Sequence, residues 1–343
     1  MRWIYLTFIV CCSQVSLAQE KVDSLRSFYI QEFPNHFFVW PVLKYRSLSF
    51  TMRDRNDNGR EIAFKPNNSS TLGLGFYLFE IVFEVTFAIP LGEQQKKIYG
   101  ETDARDLQIN LLTKSWGVDL YHQKYSGFYK DDSEMAIIRG TPYPQRPDID
   151  TRNFGISGFY AFNHEKFSLR SSYNFADKQL KSNGSFLMYG TINSFKANAD
   201  SALLSGPIRS KFGNGSDTKD IRCTTLSMAP GYSYNVVLNK FFLNGTATIG
   251  PAHDWVYFKS ESGEEHYDVS FNTTYSLRLA AGFNSGPFFG GIGTTLQVRT
   301  VKFEDIRFEN SSATTRFLVG FRFREKGTLK KHIWDFIPFL KGS

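Results

Sequence analysis

Cysteine is almost missing from this chain. Three occur in 343 residues, and two of them, Cys11 and Cys12, fall in an N-terminal stretch built like a leader. Met1-Arg2 supplies a positive charge, Trp3 to Val10 an apolar run, and Ser16-Leu17-Ala18 the small residues a signal peptidase reads. Residues 1–18 are therefore expected to be a secretory signal peptide, with the mature chain starting at Gln19. Cys11, not a small residue, precedes Cys12, which argues against lipidation there. Cleavage leaves Cys223 alone, so an intramolecular disulfide and a small disulfide scaffold are excluded.

Long apolar runs are missing as well. After the leader no run reaches about eighteen apolar residues, which excludes a membrane-spanning helix. A large charge excess is also missing: losing Arg2 takes Lys+Arg from 40 to 39 against 33 Asp+Glu, a mild net +6 spread along the chain. With export expected, this argues against nucleic acid as a partner. Catalytic signatures are missing too: there is no G-x-S-x-G, P-loop, paired-Cys or H-E-x-x-H pattern. The six histidines, His36, His122, His164, His253, His266 and His332, are scattered without metal-ligand spacing. No cofactor or metal is expected.

What is present is aromatic and alternating. Aromatics make up 16% of the chain, with 34 Phe, while the mean hydropathy is below zero. Leu72, Leu74, Phe76 and Leu78 alternate with Thr71, Gly73, Gly75 and Tyr77. Phe83, Val85, Phe87 and Ile89 alternate with Glu84, Thr86 and Ala88. A strand sends successive side chains to opposite faces, so each such segment has one apolar and one polar or small face. The same pattern recurs around Leu107, Phe154, Phe167–Phe175, Leu243, Leu277 and Phe317. Short joins around Glu80, Ser115, Asn163-His164-Glu165, Asn239 and Ser285-Gly286 indicate antiparallel hairpins. Longer polar connections are read at Gly92–Asp103, Ser126–Thr151, Asn198–Arg222 and His253–Asp268.

Short turns at one end and long loops at the other are the asymmetry of a transmembrane β-barrel. The fold expected is all-β: one antiparallel transmembrane barrel of about twelve strands (ten to fourteen), with short periplasmic turns and long outer loops. The count is least secure between Lys178 and Arg222, where parity slips. The layout is a lead-in over 19–40, a barrel over 41–324 and a basic, aromatic tail over 325–343, which lies on the membrane surface or packs against the periplasmic end. Mid-strand charges Glu84, Asp106, Asp119, Arg170, Arg278, Arg299 and Arg322 are the lumen-facing candidates.

The function expected is a non-enzymatic outer-membrane barrel: a narrow or plugged pore, a binding barrel or an envelope structural component. Its partners would be outer-membrane lipids, and an envelope glycan or small solute as cargo. Two alternatives stay open. One is an outer-membrane enzyme acting on lipid or glycan, resting on His122 at a predicted rim, a position an interfacial His also fills. The other is a secreted β-sandwich binding glycan, since sandwich strands alternate too. Gly213-Asn214-Gly215-Ser216-Asp217 reads as a turn or flexible loop before a cation loop.

Four ordered segments carry a family likeness: Phe64-Lys65-Pro66-Asn67 with Leu72–Phe76; Thr113–Tyr121 with Gln123, Tyr125 and Gly127–Tyr129; Gln179, Lys181-Ser182 and Gly184–Phe186; and Pro230–Tyr234. In these the chain resembles the domain-of-unknown-function family 4421 of exported Bacteroidota proteins, from about Pro41 to Phe323. The resemblance implies an outer-membrane-associated barrel; it implies no activity and carries over no functional residue.

Overall fold

The computed structural model describes residues 25–34, 36–56, 61–78, 81–132, 141–206 and 208–324. The expected signal peptide and the C-terminal tail lie outside the described residues. The alternating segments form long strands: β2 (His36–Asp54), β7 (Trp116–Asp132), β8 (Gln145–Ala161), β10 (Asn183–Asn198), β11 (Thr218–Leu238), β12 (Phe241–Ser260), β13 (Glu265–Asn284), β14 (Phe288–Phe303) and β15 (Ile306–Arg324). Each pairs antiparallel with its neighbour, and β15 returns to β2, so the sheet closes. The wall begins at His36, ahead of the Pro41 boundary read from the sequence.

Closure between β2 and β7 differs with height. The descending strand after β2 is broken into β3 (Glu61–Lys65) and β4 (Thr71–Leu78). In one half of the barrel β3 pairs with both β2 and β7, giving a ring of ten strands. In the other half β2 pairs β4, β4 pairs β5 (Ile81–Ala88), and β6 (Asp103–Leu112) pairs β7. That level holds twelve strands: β2, β4, β5, β6, β7, β8 and β10 to β15. A short helix, α1 (Glu93–Tyr99), joins β5 to β6. The switch of β7 from β6 to β3 occurs at a bulge on Gly127, whose φ of +87° suits glycine.

The outward face carries an apolar belt towards the end bearing the short turns. Phe154 and Ile156 on β8, Leu243 and Ile249 on β12, and Leu277 and Leu279 on β13 are all exposed. Trp116, Tyr160, Tyr232 and Tyr234 edge the belt near the turns. An apolar surface of this extent is what a hydrocarbon layer covers, with aromatics at its boundary. Among the described residues no helix is long and apolar enough to cross a membrane.

Three expected connections turn out otherwise. The supposed strand around Phe167–Phe175 is no part of the wall, because β8 and β10 pair directly from Leu187 with Ala161 upward and leave it no edge. Residues 162–182 instead fold into the lumen, with a helical turn α2 (Arg170–Tyr173) and β9 (Asp177–Gln179), and β9 pairs β1 (Ile30–Glu32). The expected short join at Asn163–Glu165 is therefore the start of this longer insertion. At His253–Asp268 the expected loop is mostly strand: β12 and β13 pair on to Lys259 with Glu265. Asn198–Arg222 is a long connection, but it packs inward.

Candidate functional site

The barrel's lumen is filled at both ends by the chain itself. At the turn end, residues 25–32 and 162–182 form a plug that buries Phe167, Leu169 and Phe175 against the wall and is tied by polar bonds. Arg26 reaches Asp177 at 2.9 Å, and the Ser168 hydroxyl donates to the same carboxylate at 2.6 Å. Ser172 donates to Asn235 at 2.8 Å and Tyr173 to Asn244 at 2.6 Å, so inward side chains of β11 and β12 grip α2. Arg322 donates to the carbonyl of Phe175 and the side chain of Asn284, both at 2.7 Å, and its guanidinium lies 4.1 Å from the Phe33 ring centre. Glu32 accepts from Arg26 and pairs with Lys114 of the β6–β7 turn. Burial raises its pKa, but these two cations outweigh that and hold the carboxyl below the usual glutamate range.

At the loop end the plug is apolar. Residues 199–206 and 208–217 turn into the barrel and bury Leu203, Leu204 and Phe212 among Phe50, Phe64, Phe195 and Phe308. Arg146 of β8 clamps this segment, donating to the carbonyls of Ala202 and Leu203 at 3.0 and 2.9 Å. The Gly213–Asp217 stretch makes a turn held from outside: Gly213 donates its N–H to Asp54 at 2.8 Å and Asn214 to Asp305 at 2.9 Å.

Between the plugs lies a chamber of about 200 Å³. Its charged lining is Lys44, Arg46, Glu84, Asp106, Asp119, Arg278 and Arg316. Glu84 of β5 is paired with Lys44 and with Arg316, the latter at 3.3 Å, and accepts from Trp40 Nε1 at 3.0 Å. Trp40 reaches it over Gly75, where a Cβ would fall 2.1 Å from the indole nitrogen. Asp106 of β6 binds Arg46 at 2.9 Å, Gln123 at 2.8 Å and the Tyr125 hydroxyl at 3.1 Å. From Gln123 an amide chain runs on through Asn153 to Asn193 in steps of 2.8 Å. Asp119 is paired with Arg278.

Of the residues read as lumen-facing, Glu84, Asp106, Asp119 and Arg278 meet at this chamber. Arg299 faces inward beside it, donating to Tyr121 at 2.6 Å. Arg322 belongs to the turn-end plug. Arg170 is buried in the lumen as well, but on α2 and not on a wall strand; it donates to Tyr77 at 3.1 Å. Sequence reading missed Lys44, Arg46 and Arg146; Arg316 was legible on the polar face opposite Phe317 but was not among the candidates. β2 gives little contrast to read, because Phe38, Trp40 and Val42 face in while Val39 and Leu43 face out. His122 points outward with its ring 6.4 Å from that of Phe154, and no hydrogen bond joins it to an acid or hydroxyl among the described residues.

The profile of the family described as "Domain of unknown function (DUF4421)" matches residues 21–323. No curated protein sequence matches the chain. Among solved structures, the outer membrane protease OmpT from Escherichia coli aligns at 10% identity and a TM-score of 0.42, over 85% of this chain and 98% of its own. The translocator domain of the autotransporter NalP from Neisseria meningitidis aligns at 9% identity and 0.29, over 92% and 97%. The attachment invasion locus protein Ail of Yersinia pestis aligns at 9% identity and 0.20, over 84% and 99%. At such scores these likenesses assign neither activity nor ligand.

Proposed function

The chain belongs to this family of unassigned activity, and from that premise we propose that it is a non-enzymatic outer-membrane barrel that holds a ligand in a closed internal chamber. Its turn end, with the short β4–β5, β6–β7, β11–β12 and β13–β14 connections, faces the periplasm, and the end carrying the long 89–102 and β10–β11 connections, beside short ones at 261–264 and 304–305, faces the exterior. The observation that carries this reading is the double plug: segments 25–32 and 162–182 fill one end, 199–206 and 208–217 the other, and a charged chamber lies between. An open pore needs a continuous polar path, and the buried phenylalanines around Leu203 deny one. A strut would use the lining charges only to tie strands together, whereas here they also border an enclosed space that a ligand can enter.

Two measurements test the reading. Membrane fractions should retain the protein until detergent is added, and it should migrate faster unheated than heated in mild detergent gels. Liposomes reconstituted with it should keep entrapped sugar as well as protein-free liposomes do. Recovery in the soluble periplasm, or efflux at the rate of an open porin, would contradict it.

A further inference from the structure

In a membrane wall, lipid offers no partner to a free backbone edge, so barrels pair every strand. Among the described wall strands each neighbouring pair forms a ladder except one: β5 pairs only β4, β6 pairs only β7, and the two free edges face each other. The chamber lies directly behind this seam. Val82, Glu84 and Thr86 from one lip and Asp106, Gln108 and Asn110 from the other line it. Resting on the closed-chamber reading, we infer that the chamber is loaded sideways from the membrane, through the β5–β6 seam, by a single-chain anionic amphipath: one acyl chain ending in a carboxylate or phosphate.

The chemistry of the two sides of the seam fixes that class. Outside, both lips are apolar: Phe83, Val85 and Phe87 on β5, Leu107 and Ile109 on β6, all exposed. An acyl chain packs there in continuity with the bilayer. Inside, four cations (Lys44, Arg46, Arg278, Arg316) face three acids (Glu84, Asp106, Asp119), so the lining carries one uncompensated positive charge. Arg46 Nε and Arg278 Nε are buried and have no hydrogen-bond partner among the described residues. One anionic head supplies both the missing charge and the missing acceptors. A single acyl chain is the narrowest apolar group that can carry such a head between two strand edges into a chamber of about 200 Å³.

The lips are held by the groups a head would engage. Glu84 ties β5 to Lys44 and Arg316, and Asp106 ties β6 to Arg46 of β2. An incoming carboxylate or phosphate competes for Arg46 or Arg316 and so loosens the lip that each one anchors. The seam then opens by exchange of one ion pair for another, without breaking a ladder.

The full-length protein in phosphatidylcholine liposomes tests this with a palmitate carrying a mid-chain photoreactive diazirine. Labelling should saturate, map to residues 81–88 and 103–112, and be displaced by palmitate and by hexadecyl phosphate at least tenfold better than by hexadecanol or inorganic phosphate. Arg46→Gln and Arg316→Gln, each checked for heat-modifiable migration, should weaken it several-fold. Equal displacement by hexadecanol would reduce the seam to a greasy surface and overturn the claim. Displacement by inorganic phosphate alone would make the chamber an anion site fed from water and overturn sideways loading. Sugar efflux from the same liposomes is read separately: efflux with specific labelling breaks the closed-chamber reading, and tight liposomes without labelling break only the seam.

Discussion

The two plugs close the same lumen with different shares of apolar packing and polar bonding. At the loop end, Leu203, Leu204 and Phe212 drop into a nest of phenylalanines, and what holds them is apolar area removed from water. At the turn end Phe167, Leu169 and Phe175 are buried as well, and Arg26, Asp177, Asn235, Gln179 and Arg322 add a network of buried polar bonds. Apolar burial is tolerant of geometry, whereas a buried polar network is high in cost if any member is lost. The contrast predicts that the turn-end plug is rigid and specific and the loop-end plug graded in its response to substitution. The chamber between them, where ion pairs border open space, is the region built for exchange.

Breaking the turn-end network should have the largest effect. Asp177→Ala removes the buried carboxylate shared by Arg26, Arg170 and Ser168, leaving Arg26 with Glu32 as its one carboxylate, and should lower barrel stability by about 3–5 kcal/mol in denaturant titration followed by gel shift. Leu203→Ala at the other end should cost about 2–5 kcal/mol, and Leu203→Met under about 1.5, the graded response of packing. Gly75→Val drives a side chain into the Trp40 ring, and overpacking of that kind costs about 1–3 kcal/mol; it should also shift Trp40 emission as the indole leaves Glu84. The smallest effect is the pH response of Glu32. Its pKa is lowered in the folded state, so its stabilisation is full above the ordinary glutamate pKa and is lost as pH falls through the lower, folded value. Amide exchange at residues 30–32 should therefore quicken on acidification, and Glu32→Gln should flatten that response.

Much of the wall was legible because one-sided apolarity with period two has few other meanings. The segments at Leu72, Phe83, Leu243 and Leu277 all became strands with their apolar side outward. The plugs were not legible. Phe167–Phe175 alternates as a strand does, yet both of its faces are buried in the lumen, and pattern alone does not separate a buried insertion from a half-buried strand. β2 was unread for the converse reason, since aromatics on both faces erase the contrast. Of the site, Glu84, Asp106, Asp119 and Arg278 were visible as charges in mid-strand, and Arg316 as a charge on the polar face of β15; their partners Lys44 and Arg46 lie on β2, where the pattern is weak, and join them only when β15 closes on β2. Nor does the sequence announce the seam, because a missing ladder leaves no mark on either strand.

Planar-bilayer conductance tests the central claim, a lumen closed from both ends, most directly. The full-length protein should give no steady ohmic current. Removing 200–216 alone should leave it closed, and only the further replacement of 162–182 by a tight turn, with 25–32 removed, should open a lasting conductance. A steady pore current from the unaltered protein would contradict the account.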